Sequence, residues 1–199
     1  MLLSTLFATA LSAPLVFGQV TYDSDHNVTS LRGTWGMSAE GHVLTGPEFY
    51  NPLTRAFTFP ESFKNLNSWV WTYSFTDNGF WERCTYQPLL AVGEDCEDEG
   101  ANLFYQHGTY ELLSNGSIAL TPFANDGTLE VQNKCVTNNG TQPYGEPSLI
   151  ESWSITEDHA RGPVLHLDLP HLPGFKLPLV YDPPRMLPTY QINNDTQSA

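Results

Sequence analysis

The side chains able to do chemistry in this chain are few and scattered. Glu82 lies in Phe80-Trp81-Glu82-Arg83, and alternation along the run from Trp71 to Tyr86 places it on the apolar face. A carboxyl group in such surroundings has a raised pKa and can serve as a general acid. Cleaving a glycosidic bond needs a second carboxylate across that bond; Glu111 and Glu151 are the available partners, and a strand sequence brings neither to Glu82. His166, Asp168 and His171 share one strand face and the turn beyond it, the beginning of a metal site for which no second cluster supplies the remaining ligands. The run Glu94-Asp95-Cys96-Glu97-Asp98-Glu99 lacks the alternating oxygen ligands and central glycine of a calcium loop, and reads as a solvated charge run. There is no G-x-S-x-G, no Cys-His context around Cys84 and no phosphate-cradling glycine loop. His107, in Gln106-His107-Gly108, reads as a structural residue beside a glycine bulge. The expected catalytic, cofactor and metal residues are none.

The elements that would position these residues are strands. Gly, Pro and Asn punctuate the chain about every ten residues, with no sustained helical period, which points to an all-β domain. Asn78-Gly79 and Asn115-Gly116 sit between strand-like runs and predict hairpins with type I′ turns, both central residues at φ > 0. A two-residue turn at Asn78-Gly79 sets Phe75 opposite Glu82, Tyr73 opposite Cys84 and Trp71 opposite Tyr86 on a core face, and leaves Thr72, Ser74 and Thr76 on the other. Further on, Leu165, Leu167 and Leu169 alternate with His166 and Asp168, and Phe175 to Tyr181 alternates likewise, with a turn over Pro170 to Gly174. Pro178 demotes the second of these runs to an edge strand or a bulge.

Compartment is legible as well. Residues 1–18 carry no charge, and Leu2 to Phe17 is a short apolar run ending in small residues before Gln19, as in a secretory signal peptide. Residues 19–190 then form one domain of ordinary size, and 191–199 a polar, loose tail. A net charge of −14 repels phosphate backbones and anionic membranes, so nucleic acid is excluded as a partner. Sequons occur at Asn27, Asn115, Asn139 and Asn194, with Asn115 hindered by its turn geometry. Spacing allows Cys84, Cys96 and Cys135 three connectivities. The register above turns Cys84 inward among aromatics, which leaves the two loop cysteines, Cys96 and Cys135, as the expected disulfide.

Several blocks together carry a family resemblance: Leu31-Arg32-Gly33-Thr34-Trp35, then Leu44-Thr45-Gly46-Pro47-Glu48-Phe49-Tyr50-Asn51-Pro52, then Tyr73 to Gly79. Gln106 to Ser117 follows with Leu120-Thr121-Pro122 just after it, and last Tyr181-Asp182-Pro183-Pro184-Arg185-Met186-Leu187-Pro188-Thr189. In order and spacing they resemble the fungal Rot-one (reversal of Tor lethality) family of essential endoplasmic-reticulum chaperones. The resemblance implies a lumenal folding factor for secretory glycoproteins, with downstream roles in cell-wall β-1,6-glucan formation and protein glycosylation. It also implies cysteines at Cys96 and Cys135, with alanine where this chain has Cys84. Family members commonly continue into a C-terminal membrane anchor, whereas this sequence stops ten residues after Thr189. The Gly33-Thr34-Trp35 opening is similar to the first strand of lipocalin-like barrels, so the expected architecture is an antiparallel up-and-down barrel, with a two-sheet sandwich as the alternative.

Three functions compete on this basis. The first is a chaperone of the endoplasmic-reticulum lumen, or secreted, whose partners are unfolded or maturing glycoproteins and possible lumenal co-chaperones. The second is a lipocalin-like module holding a small apolar ligand, and the third a cell-wall glucan-modifying enzyme working through Glu82.

Overall fold

The computed structural model describes residues 30–39, 42–58, 69–89, 100–132 and 140–193. Its elements begin with β1 (Gly33–Gly36), β2 (Ser38–Ala39), β3 (His42–Val43), α1 (Gly46–Phe49), β4 (Tyr50–Asn51), β5 (Ala56–Phe57), β6 (Val70–Phe75) and β7 (Phe80–Leu89). They continue with β8 (Gly100–Leu112), β9 (Ile118–Pro122), β10 (Thr128–Gln132), β11 (Gly140–Pro143), β12 (Ser148–Ile150), β13 (Ser152–Asp158), β14 (Gly162–Leu169) and β15 (Leu172–Tyr181). One large antiparallel sheet runs β11-β10-β8-β7-β6-β1-β15-β14-β13, with β9 pairing β8 and β12 pairing β9. The chain is therefore all-β, as its turn spacing requires; among the described residues the sheet curls around a core without forming a closed barrel.

Both predicted Asn-Gly hairpins form, but with a different turn. Only the glycines take positive φ, Gly79 at 88° and Gly116 at 86°, while Asn78 and Asn115 do not. Thr76 N–H bonds the Phe80 carbonyl and Leu113 N–H the Ser117 carbonyl, so each loop holds three residues rather than two. This is the turn that ends in a left-handed glycine, which accepts that conformation without a Cβ clash. One extra loop residue slips the register by one, and a slip of one moves every partner to the opposite face. Phe75 accordingly faces Trp81, Tyr73 faces Arg83 and Trp71 faces Thr85, while Glu82 pairs with Ser74 and Cys84 with Thr72. The expected grouping of Glu82 and Cys84 with the aromatics is thus overturned.

Two cores result, one on each face of the β6-β7-β8 region. The first gathers Leu31, Trp35, Tyr73, Phe75, Trp81, Ile118, Leu120, Ile150, Trp153, Leu165, Leu167 and Leu177 inside the curl. Tyr73 and Phe75 stack at 6.0 Å, Trp35 donates its indole N–H to the Leu31 carbonyl at 2.7 Å, and Trp71 packs half-buried against Phe175. Each fully buried side chain of this size contributes roughly 1.5–3 kcal/mol of transfer free energy. The second core lies on the outer face and gathers Leu44, Phe49, Tyr50, Val70, Cys84, Tyr86, Leu103 and Tyr105.

Other expectations are corrected in detail. Gly108 sits in register with Trp81 and Pro122 rather than in a bulge, and it is required because a Cβ there would lie 2.0 Å from the Thr121 carbonyl oxygen. Pro178 pairs with Val164 inside the sheet, not at an edge; the ladder to β1 slips just beside it, between Thr34 and Trp35. The last hairpin turns at Pro170-His171, with Leu169 opposite Leu172, and not over Pro170 to Gly174. Cys96, Cys135, Asn27, Asn139, Asn194 and residues 1–18 lie outside the described residues.

Candidate functional site

The slipped register gathers four polar residues into one row. Thr34 on β1 pairs with Ser74 on β6, Ser74 with Glu82 on β7, and Glu82 with His107 on β8. Alternation leaves all four on the outer face of the sheet, where water would be expected, yet each is at most 1 % exposed. Buried polar groups need partners, and these find them in segments distant in sequence.

The cover comes from two places. Gly46 to Phe49 folds down as α1 between Thr45 and Tyr50, and its first residues are Gly46 and Pro47, a proline where its missing N–H costs nothing. Gly46 donates its N–H to Glu82 Oε1 at 2.7 Å. A Cβ on Gly46 would fall 2.1 Å from Glu82 Oε2, so only glycine permits the approach. The rest of the cover is an irregular strap, residues 183–193, which follows β15, bends at several points and belongs to no strand.

Strap and row meet through the strap's backbone. Arg185 N–H donates to Thr34 Oγ1 at 2.9 Å, and its carbonyl accepts the Ser74 hydroxyl at 3.1 Å. Leu187 N–H donates to Glu82 Oε2 at 2.7 Å, beside the Tyr105 hydroxyl at 3.2 Å. Farther along, Ile192 and Asn193 donate their N–H groups to the two oxygens of Asp126 at 2.7 and 2.6 Å. Asp126 is fully buried and also receives the His107 imidazole, Nε2 to Oδ2, at 2.8 Å. Asn193 caps the arrangement through its amide on the Pro52 carbonyl at 3.1 Å. Residues 191–193, read in sequence as the start of a loose tail, are tied down by these bonds.

The electrostatics follow from burial. Desolvation pushes the Glu82 carboxyl up to about 7, against the downward pull of the bonds from Leu187, Gly46 and Tyr105. Burial, with the Glu82 charge adding to it, raises the Cys84 thiol and the Tyr105 hydroxyl well above their usual values, which makes both inert. Burial lowers the His107 imidazole although Asp126 pulls the other way, so the ring is neutral at physiological pH and donates from Nε2.

In this arrangement Glu82 serves as an acceptor. Both of its oxygens are filled by the chain's own donors, the N–H groups of Gly46 and Leu187 and the Tyr105 hydroxyl. Glu111 and Glu151 are exposed and stand apart from it in environment. His166 hydrogen-bonds Thr156 at 2.7 Å, and Asp168 holds Ser152 and the Gly174 N–H, its carboxyl lowered first by the Ser152 bond. His171 occupies the tight turn at φ 71°. Among the described residues no group of three or more His, Cys, Asp or Glu could hold a metal. Cys84 is a buried free thiol. Asn115 is exposed at its hairpin tip, where its side-chain oxygen accepts both the N–H and the hydroxyl of Ser117.

Comparison with known proteins identifies the lineage. The family described as Rot1, a fungal chaperone for protein folding within the endoplasmic reticulum, matches residues 31–199. The chain belongs to this family. Protein rot1 of Aspergillus niger is 32 % identical over 195 residues, covering 96 % of this chain and 79 % of that protein. Protein ROT1 of Yarrowia lipolytica is 33 % identical and that of Candida albicans 31 %, each covering all of this chain and 78 % and 76 % of the relative. No solved structure matches the chain. Among the Rot1 blocks seen in the sequence, Gly46-Pro47 and Arg185 to Pro188 are the two that close over the polar row. Thr34 and Ser74 could not be singled out beforehand, because alternation alone marks such positions as solvent-facing, and Asp126 lies in the turn between β9 and β10, where an aspartate is ordinary.

Proposed function

We propose that this chain is a chaperone of the endoplasmic-reticulum lumen that binds unfolded or maturing secretory glycoproteins without a catalytic residue. The observation that carries the proposal is the family match over residues 31–199, whose members are described as folding chaperones of that compartment. Roles in β-1,6-glucan formation and protein glycosylation then follow through the clients. Apolar surface for such contacts exists: Leu53 is 79 % exposed, Tyr190 64 % and Trp69 49 %. Phe57 is half-buried and Thr58 exposed, and residues 59–63 lie outside the described residues. No helix among the described residues is long and apolar enough to cross a membrane.

A lipocalin-like barrel holding a small ligand is less well supported, because Trp35, Tyr73, Phe75 and Trp81 occupy the interior of the curl. The purified chain should suppress aggregation of a chemically denatured polypeptide at stoichiometric amounts without ATP. Failure to do so, joined to release of sugar from β-glucan that Glu82→Gln abolishes, would give the enzyme reading precedence.

The Cys96–Cys135 bridge and glycans at Asn27, Asn115, Asn139 and Asn194 belong to the same proposal. A bridge of that span would stabilise by roughly 3–4 kcal/mol in the chain-entropy model. Peptide mapping of protein from a fungal host, before and after reduction and endoglycosidase treatment, should find that bridge, Cys84 unmodified, and at least one occupied sequon. A Cys84-containing bridge, or a chain wholly without glycan, would count against the compartment.

A further inference from the structure

The strap is held in an unusual way for a terminal segment. No residue from Asp182 to Asn193 belongs to a strand and none is fully buried, while the row beneath is wholly shielded from water. Four strap N–H groups and one carbonyl carry the contacts to Thr34, Ser74, Glu82 and Asp126. Its polar side chains bind outside that row, Gln191 on the Ala124 carbonyl at 2.8 Å and Asn193 on the Pro52 carbonyl at 3.1 Å. Arg185 turns outward to Glu48 at 3.3 Å and lies over the Tyr181 ring, and Leu187 packs partly buried against the outer core.

A receptor that reads backbone N–H groups, with one slot for an apolar side chain, accepts extended polypeptide of almost any sequence. We propose that residues 183–193 occupy a client-binding groove of this chain, and that an extended segment of unfolded polypeptide displaces them and takes over their hydrogen bonds. The inference rests on the chaperone reading and locates its binding site. Four features support it. The occupant now in the groove is itself a polypeptide segment outside any strand, held over the row through its backbone. Displacement exchanges like for like, so Glu82 and Asp126 regain donors and are not left buried without partners. A segment outside the ladders opens at lower free energy than the strands beneath it. Finally, opening uncovers two carboxylates on a chain of net charge −14, which selects neutral or basic segments and rejects acidic ones.

Two exposed apolar residues mark the far end of the groove. Leu53 follows Pro52, whose carbonyl holds Asn193, and Tyr190 lies in the strap itself. They would give an entering chain its first contact before the strap leaves.

Amide hydrogen exchange tests the proposal, using reduced and carboxamidomethylated lysozyme as a basic, permanently unfolded client and poly-glutamate as an acidic one. With client in excess and the complex verified by gel filtration, exchange in the peptide spanning 182–193 should rise at least tenfold. The peptides of β6, β7 and β8 should keep their protection, and poly-glutamate should change neither. A complex in which 182–193 stays as protected as in the free chain would overturn the displacement while leaving the chaperone reading intact. An equal response to poly-glutamate would overturn the charge selection that the uncovered carboxylates demand. If no complex forms with either polypeptide, the chaperone reading fails and the groove assignment with it.

Discussion

Truncating Glu82 to alanine is expected to lower the unfolding free energy by about 3–5 kcal/mol at pH 5 and by clearly less at pH 8. The first figure comes from what is left behind, since the buried N–H of Gly46 and the N–H of Leu187 both lose their acceptor, each at about 1–3 kcal/mol. The pH dependence comes from the raised carboxyl. With a folded value of about 7 against an ordinary 4.5, the folded chain keeps a proton that the unfolded chain has released. Stability from this group is therefore fully present below about 4.5 and declines as pH rises toward about 7, by roughly 3 kcal/mol in all.

His107 works in the opposite sense. Its imidazole is lowered by burial, so acidification below 6.5 protonates the unfolded ring first and costs stability. The two trends oppose each other in the parent protein, and its own pH profile tests neither. Subtracting the alanine variant from the parent at each pH removes the His107 trend common to both and leaves the Glu82 contribution together with its coupling to the neighbouring His107. Urea unfolding at pH 5, 6, 7 and 8 should show the difference shrinking across the series. A difference independent of pH would mean that Glu82 titrates alike in both states, and the description of it as a desolvated carboxylate would be wrong.

Glu82 is buried, but not on the face that a two-residue turn assigns it, and the difference is a matter of one residue in a loop. Asn78-Gly79 marks the hairpin correctly, because glycine is needed at the left-handed position. The dipeptide cannot say whether the loop holds two residues or three. That single step decides which face Glu82 and Cys84 share, and the sequence pattern gave no warning, because both faces of β7 are buried here. The alternation of Trp71, Tyr73 and Phe75 with Thr72 and Ser74 was readable as two faces, and the aromatic one is core as expected. Taking the threonine and serine face for a solvent face was the natural inference from periodicity. It failed because its cover comes from Gly46 and from residues 183–193, the latter more than a hundred positions downstream of Ser74 and Glu82. Periodicity reports the pleat of a strand and carries nothing about a strap laid across it. Only the family blocks pointed to the covering segments, without saying what they cover.

Asp126→Ala is the second large effect, at about 2–4 kcal/mol near neutral pH. The variant strands the His107 ring, whose Nε2 loses its acceptor, while water can serve the N–H groups of the half-buried Ile192 and Asn193. What distinguishes this site from an ordinary buried pair is its place on the same strap as Glu82. If the strap opens as one body, freeing its far end at Asp126 already forfeits part of what the Leu187 bond to Glu82 is worth. The double variant should then cost at least 1 kcal/mol less than the sum of the two single ones, a coupling of the size seen between residues sharing a network. Urea unfolding of the four proteins of the cycle at pH 7 measures it directly. Costs that add to within about 0.5 kcal/mol would show two independent anchors, and a strap so held would have to leave its groove in two separate steps.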